Sequence, residues 1–331
     1  MATRPAGKAG SWYLSDAQRL HARLDEYLAA VHIAMQQQQQ DSPQLPVPGA
    51  RVVIAPHAGY DYSGKCAAWA YSCLDLRNVK RVFVLGPSHT YYLEGCAVTA
   101  FAKYATPFGD LTVDRATIQQ VKQAGSMANI PQRNDEKEHS LEMHLPYLYK
   151  RCQMTFISPQ DFPTIVPLLI GDNDLDEEKS VGRVLVPHLK NPENAFIVSS
   201  DFCHWGSSYQ YMAYSADESL SALVNLDKHD DAPPGPPIHD SIRWLDESAM
   251  HAVASGRHDA FVANIQKTRN TVCGRHPIGV TMAGLELLAK EAGGGGDGTK
   301  YRFNIVQYDR SNLVKQPDDF SVSYVSAYAV L

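Results

Sequence analysis

The chain has 331 residues, 44% of them hydrophobic, which is enough to bury a full core in one or two domains. Its 30 basic and 36 acidic residues give a formal net charge of −6, and no basic cluster could neutralise a run of phosphates, which argues against nucleic acid as a partner. The sequence has no run of about 18 apolar residues and no secretory signal, so we expect no membrane insertion. We expect a cytoplasmic protein, with nuclear access left open.

The six cysteines are scattered along the sequence without a CxxC pair, which argues against a disulfide framework or a zinc knuckle. We expect reduced thiols, most of them buried as small packing residues. The six are Cys66, Cys73, Cys96, Cys152, Cys203 and Cys273.

The first predicted element is a helix. Its apolar residues recur every three or four positions, and Ser15 and Gln18 stand ahead of them at the spacing of a capping box. These apolar residues are Leu20, Leu24, Leu28 and Val31. Four short β-branched runs follow, each apolar on both sides, as in parallel strands that helices cover on both faces. The four runs are residues 51–55, 81–86, 164–171 and 195–200.

The later part of the sequence predicts two more helices, at residues 241–255 and 278–289. Residues 302–309 and 321–331 are predicted as closing strands, with an antiparallel place at a sheet edge left open. The alternation of strands and helices indicates an α/β protein, with a central, mostly parallel sheet and helices on both faces.

We expect one domain over residues 1–331, because the same pattern resumes after each interruption. Three stretches are too poor in apolar residues, or too rich in proline and glycine, to pack in a core. They are predicted as loop insertions at residues 36–49, 230–240 and 293–298.

Histidines follow three of the four predicted strands. His57 stands in PHAGYDYSG after the first run, His89 in PSHTYYLEG after the second, and His204 in DFCHWG after the fourth. The carboxyl ends of parallel strands meet at one edge of a sheet, where ligands bind. Convergent imidazoles indicate a metal site, whereas a lone histidine after a strand is more often a brace for its loop.

A cysteine completes a plausible ligand set. The stretch TVCGRHPIGV, residues 271–280, places Cys273 ahead of a predicted helix that begins near Ile278. A thiol near the positive end of a helix, with Arg275 nearby, should have a lowered pKa. Two imidazoles and a thiolate would suit iron, copper or zinc. The alternative is a small buried packing cysteine.

Acid–base groups are predicted in two further segments. In EKEHSLEMHLPYL, His139 and Glu142 are three residues apart on a predicted helix, so they share a face, and Glu142 could bind His139, bind a metal or form a structural pair. In DFCHWG, the spacing of Asp201 and His204 suits a carboxylate that orients a general base, with an Asp that caps a turn as the alternative.

Aromatic residues near these motifs could form the walls of the crevice. We expect them either there or in the core. They are Tyr60, Tyr62, Tyr91, Tyr92 and Trp205.

Six motifs, in the order AGSWY, IAPHAGYDYSG, LGPSH, EHSLEMHLPYL, SSDFCHWG and CGRHPIG, resemble the Memo family (mediator of cell motility) from about Ala9 to the C-terminus. That family is structurally similar to class III extradiol dioxygenases, which are nonhaem iron enzymes. The resemblance implies a single α/β domain with His57, His89 and Cys273 as metal ligands. It also implies that Asp201 and His204 line the pocket.

The resemblance leaves two functions open. The first is a metal-dependent oxidoreductase that holds iron or copper, with zinc as a third option, and acts on a small aromatic molecule with His204 as the acid–base group. Cys273 stands where the dioxygenases have a glutamate, which argues against ring cleavage. The second is a noncatalytic signalling adaptor whose crevice binds a phosphotyrosine peptide or a partner protein, with Arg275 and the histidines, His276 among them, as cationic groups.

Overall fold

The computed structural model describes residues 2–37, 44–293 and 299–331. Residues 38–43 of the first predicted insertion and residues 294–298 of the third lie outside the described residues. The strands are β1 Thr3–Arg4, β2 Ala50–Ala55, β3 Arg81–Pro87, β4 Cys96–Val98, β5 Lys103–Thr106, β6 Gly109–Thr112, β7 Ala128–Asn129, β8 Thr164–Ile170, β9 Asn194–Ser199, β10 Asp201–Trp205, β11 Ala213–Tyr214, β12 Val224–Asn225, β13 Phe303–Arg310 and β14 Ser321–Val330.

Helices connect and cover these strands. They are α1 Ala17–Gln37, α2 Tyr60–Cys73, α3 Arg115–Ala124, α4 Gln132–Lys137, α5 His139–Glu142, α6 Leu145–Thr155, α7 Leu175–Lys190, α8 Ile238–Ala254, α9 His258–Thr268 and α10 Arg275–Glu291. Two short 3₁₀ turns occur at Pro159–Asp161 and Ser207–Tyr209. Within the described residues, no helix is both long enough and apolar enough to cross a bilayer.

A nine-stranded mixed sheet organises the described residues. Its central strands β2, β9, β3 and β8 are parallel, which confirms the four strands predicted from their apolar runs. On one side β4 runs antiparallel to β8, and β7 pairs with β4. On the other side β14 runs antiparallel to β2, to β10 and to β13. The two predicted closing strands are therefore antiparallel, with β14 inside the sheet and β13 paired with β14 at its edge.

Helices cover both faces of this sheet, as the sequence predicted. On one face α2 packs on β2, β13 and β14, and α1 and α6 pack on α2. Elsewhere α10 packs on β3 and β9 and is itself covered by α7. The α7–α10 contact is close, because a Cβ atom at Gly182 would lie 2.9 Å from the Cβ of Ala283. The main hydrophobic core therefore runs through the central strands and the helices packed on them, and a second core surrounds Trp205.

Three predicted boundaries differ from the structure. Helix α1 buries the predicted apolar residues, but its N-terminal cap is Asp16, whose Oδ1 accepts the backbone N–H of Arg19 at 2.8 Å, and the predicted cap at Ser15 is wrong. The predicted loop 230–240 ends early, since residues 238–240 already belong to α8. Helix α10 begins at Arg275 rather than near Ile278, because the first turn of a helix lacks acceptors for its N–H groups and so tolerates Pro277.

Candidate metal centre

Strand order explains why the predicted ligands meet. His57 and His89 each lie two residues beyond the ends of β2 and β3, and these strands flank β9 at the middle of the sheet. Cys273 lies two residues ahead of α10, and α10 packs on β3 and β9. The ligand atoms of the three side chains all lie within 4.8 Å of one another. The structure therefore brings together the group that the sequence predicted.

Hydrogen bonding determines which nitrogen His57 presents. The hydroxyl of Ser199 donates its single proton to the carbonyl oxygen of Ser140 at 2.7 Å. Ser199 Oγ can therefore only accept at its 2.6 Å contact with His57 Nδ1. The Nδ1 atom carries the proton, and Nε2 offers a lone pair 3.2 Å from the Sγ atom of Cys273.

His89 is oriented in the same way by Glu138. The buried carboxylate of Glu138 accepts from His89 Nδ1 at 2.9 Å and from the His89 backbone N–H at 2.7 Å. Burial disfavours the charged form, but the hydrogen bonds from His89 and Ser140 outweigh it and lower the pKa of Glu138 to about 2. The His89 Nε2 atom is therefore left for a metal. Glu138 was not predicted from the sequence, although this residue stands directly before His139 in EKEHSLE.

His139 lies beside the same carboxylate. Its Nδ1 is 3.6 Å from Glu138 Oε1, and its ring stacks on that of His89 with 4.3 Å between centroids. Glu138 with these two histidines forms a second group whose ligand atoms lie within 4.8 Å of one another. Because the carboxylate already accepts from His89 and Ser140, this group fits a support for the predicted ligand His89.

Burial dominates the electrostatics of the centre. It lowers the pKa of His57 well below its ordinary value, and the neighbouring histidines lower it further, so the imidazole is neutral. Burial and the Asp201 carboxylate together raise the pKa of the Cys273 thiol, so the predicted decrease is wrong for the chain without metal. A bound cation would reverse this balance, since metals bind the thiolate.

Asp201 and His204 both reach the crevice, but they do not pair. Asp201 is buried, and its Oδ1 accepts the backbone N–H of His57 at 2.8 Å. The His204 ring is held instead by the carbonyl oxygens of Phe202 and Thr271, which lie 2.9 and 3.2 Å from Nδ1. Because carbonyl oxygens only accept, Nδ1 carries the proton and His204 Nε2 is free to act as a base.

The crevice around these groups has a volume of about 780 Å³. His57, His89, His139, Asp201 and His204 line it together with an aromatic wall. That wall consists of Trp12, Tyr62, Tyr209, Phe320 and Tyr324, of which the sequence predicted only Tyr62. Tyr209 was missed although it follows His204 by five residues. Trp12, Phe320 and Tyr324 come from the N-terminal segment and from the start of β14, far from the histidine motifs in sequence.

Several predicted wall residues lie elsewhere. Tyr60 is buried and donates to the carbonyl oxygen of Met143 at 2.7 Å, and Trp205 is buried in a second core, where it donates to Ala213. Arg275 and His276 line a smaller cavity of about 220 Å³, and Cys273 lines this cavity as well. Tyr91 and Tyr92 line this smaller cavity as well.

Glu142 is a structural residue and does not face the crevice. It is fully buried, and its carboxylate accepts from Arg4, from the backbone of Lys8 and from Tyr13 at 2.6 to 2.8 Å. His139 and Glu142 are the first and last residues of the single turn α5, but they have different partners, since His139 lies beside Glu138. Glu142 therefore pairs with the N-terminal segment and not with His139.

The fold and the site define an α/β protein with a large mixed sheet and a His/His/Cys group at the carboxyl ends of its central strands. Two imidazole nitrogens and a sulfur are a donor set that suits zinc, iron and copper.

The chain belongs to the Memo-like family, whose sequence model (Memo-like protein) matches residues 4–328. It is 36% identical to Protein MEMO1 of Homo sapiens over 98% of this chain and 96% of that protein. It is 37% identical to Protein MEMO1 of Xenopus laevis, over 99% and 97%. It is 36% identical to MEMO1 family protein MHO1 of Saccharomyces cerevisiae over the full length of both.

Proposed function

We propose that His57, His89 and Cys273 bind a redox-active metal, iron or copper, with zinc as a third candidate. The observation that carries the proposal is the orientation of the two imidazoles: Ser199 and Glu138 accept hydrogen bonds from the Nδ1 atoms, so each ring keeps Nε2 for a metal, and His57 Nε2 lies 3.2 Å from the Cys273 sulfur. Such outer hydrogen bonds are the usual support of metal-binding histidines. A packing cysteine would need neither of them.

The surrounding residues support a metal-dependent oxidoreductase. A redox-active metal would supply electron transfer and polarise a bound oxygen atom. His204 would accept or return a proton through its free Nε2, and Asp201 would hold the His57 backbone in place. The aromatic wall would select a small aromatic substrate by stacking, with Tyr62 and Phe320 partly exposed at the crevice.

The test is metal binding by untagged protein that has been stripped and reloaded. Cobalt(II) is a suitable probe, because its bond to a thiolate gives a charge-transfer absorption in the near ultraviolet. We expect this band in the wild-type protein and its loss in Cys273→Ser, and we expect weaker binding of iron and copper by about 10- to 100-fold in His89→Ala.

The matched control is His251→Ala, which removes an exposed histidine of α8 that lines neither the crevice nor the smaller cavity. It should bind all three metals as the wild-type protein does. Wild-type protein that lacks the thiolate band, or Cys273→Ser protein that retains it, would show that the proposed site is wrong.

A signalling adaptor remains a second proposal, supported by the aromatic wall, which could stack a phosphotyrosine ring. Its weakness is charge: burial lowers the pKa of His57 and of His139, so both are neutral, and Arg275 lies on the other cavity. A titration with a phosphotyrosine peptide and its unphosphorylated copy separates the two functions. Equal affinity for both peptides, or unchanged affinity in His204→Ala, would remove the crevice from such a role.

The cysteines support a reducing compartment. All six are free thiols, and five of them are buried. We therefore propose that the protein is cytoplasmic, and nuclear access is a further proposal.

A further inference from the structure

A buried carboxylate on α7 joins three helices. Glu178 has only 4% of its surface exposed. One of its oxygens accepts from His276 Nδ1 on α10 at 2.7 Å, and the other accepts from His258 Nε2 on α9 at 2.6 Å. Burying a carboxylate is costly unless it is fully hydrogen-bonded, so these two imidazoles are needed where they are. Nothing in the crevice explains this arrangement.

The backbone of α10 is shaped to admit this carboxylate. A Cβ atom at Gly279 would lie 2.2 Å from Glu178 Oε2, so any side chain there would displace the carboxylate. Glu178 therefore contacts the N-terminal part of α10 at two places, the ring of His276 and the backbone of Gly279.

The proposed metal ligand Cys273 lies just ahead of the first turn of α10, three residues before His276. The next residue, Gly274, donates its N–H to Ser200 Oγ at 3.1 Å, and a Cβ atom there would lie 2.3 Å from the Ser199 carbonyl oxygen. Ser199 and Ser200, at the end of β9, therefore contact the loop at Gly274, and Glu178 contacts the turn that follows through His276. The Cys273 Sγ accepts the backbone N–H of Asp201 at 3.2 Å between these two contacts.

Two carboxylates lie near His276, and Glu178 is the closer of them. Asp172 Oδ1 lies 3.2 Å from His276 Nε2. The Nε2 atom of His276 nevertheless makes no hydrogen bond within the described residues. Asp172 is also about half exposed, so water weakens its attraction for the ring. The position of the His276 ring therefore depends on Glu178.

We propose that Glu178 and His276 form a positioning pair that holds the Cys273 sulfur in place for metal binding. This inference rests on the proposed metal function. Loss of either side chain would free the first turn of α10 to move away from β9, which would carry the sulfur away from the two imidazoles.

The experiment compares His276→Ala with His258→Ala. Each variant removes one imidazole from the same carboxylate, and both should unfold at lower urea concentrations, but only His276 adjoins the Cys273 loop. We expect cobalt(II) affinity to fall by about 10- to 100-fold in His276→Ala, with a changed thiolate band. His258→Ala should keep the wild-type affinity and band. His276→Asn should restore both, because the Asn amide nitrogen can donate from the position of Nδ1.

A second measurement needs no metal. In the stripped proteins, the alkylation rate of Cys273 by iodoacetamide is followed by mass spectrometry of its peptide, and it should rise in His276→Ala alone. The proposal is wrong if His276→Ala matches the wild-type protein in alkylation, or if His258→Ala changes as much as His276→Ala. Absence of the thiolate band in wild-type protein would instead overturn the metal function, and the alkylation rates would still decide whether the pair positions Cys273.

Discussion

At the scale of single residues, the protons on Nδ1 of His57 and of His89 determine which nitrogen each ring can offer to a metal. Ser199 is 142 residues from His57 in sequence, and Glu138 is 49 residues from His89, yet these partners decide that both rings offer Nε2. Without them either ring could turn its protonated nitrogen to the metal. The sequence predicted the ligands from their place after strands, but it could not reveal these long-range partners.

His144 permits a prediction about pH. Its buried ring shares a hydrogen bond with the Tyr71 hydroxyl, and burial lowers the pKa of His144 from 6.5 to about 3. The unfolded chain therefore takes up a proton below about pH 6.5 that the folded chain refuses, and stability falls as the pH decreases. At pH 5 this one group should cost about 2 kcal/mol of unfolding free energy.

Urea unfolding at pH 7 and pH 5 checks the size of this effect. The His144→Gln variant keeps a hydrogen-bonding side chain without a titrating group, so it should lose less stability between the two pH values than the wild-type protein loses. Equal losses in the two proteins would mean that His144 is charged in the folded state.

At the scale of elements, the N-terminal segment braces the loop that carries His139. Arg4 on β1 is fully buried, donates to the carbonyl oxygen of Glu138 at 2.6 Å and forms ion pairs with Asp135 and Glu142. Trp12, from the same segment, reaches the crevice wall. The AGSWY motif is therefore explained by support of the site as well as by its lining.

We expect Arg4→Met to lower the free energy of unfolding by about 3 to 5 kcal/mol, because it leaves two buried carboxylates without their cation. The control is Arg23→Met, which breaks an ion pair with the largely exposed Asp61 and should cost at most about 1 kcal/mol. Urea denaturation of both variants gives the comparison. Similar losses in the two variants would show that the buried network contributes no more than a surface pair.

At the scale of the whole molecule, the proposed ligands link distant parts of the fold. They follow β2 and β3 and precede α10, so a metal would join the sheet to the helical layer. A ligand that binds only the folded chain stabilises it by mass action.

Cobalt(II) at about 100 times its dissociation constant should therefore raise the free energy of unfolding by about 2.7 kcal/mol. The gain should be absent in Cys273→Ser, and magnesium should give none, because it prefers oxygen ligands. Urea unfolding with and without each ion measures it. Stabilisation of Cys273→Ser by cobalt(II) to the wild-type extent would place the binding site elsewhere.

The sequence by itself determined the central parallel strands, the first helix and the histidines that follow strands, because β-branched runs, helical periodicity and strand-end histidines are local signals. Only the tertiary structure decided that Glu142 faces Arg4, that carbonyl oxygens hold the His204 ring, and that the Cys273 pKa rises. These outcomes depend on burial and on partners far away in the sequence. A side chain's neighbours and the water around it are properties of the folded chain, which spacing along the sequence does not contain.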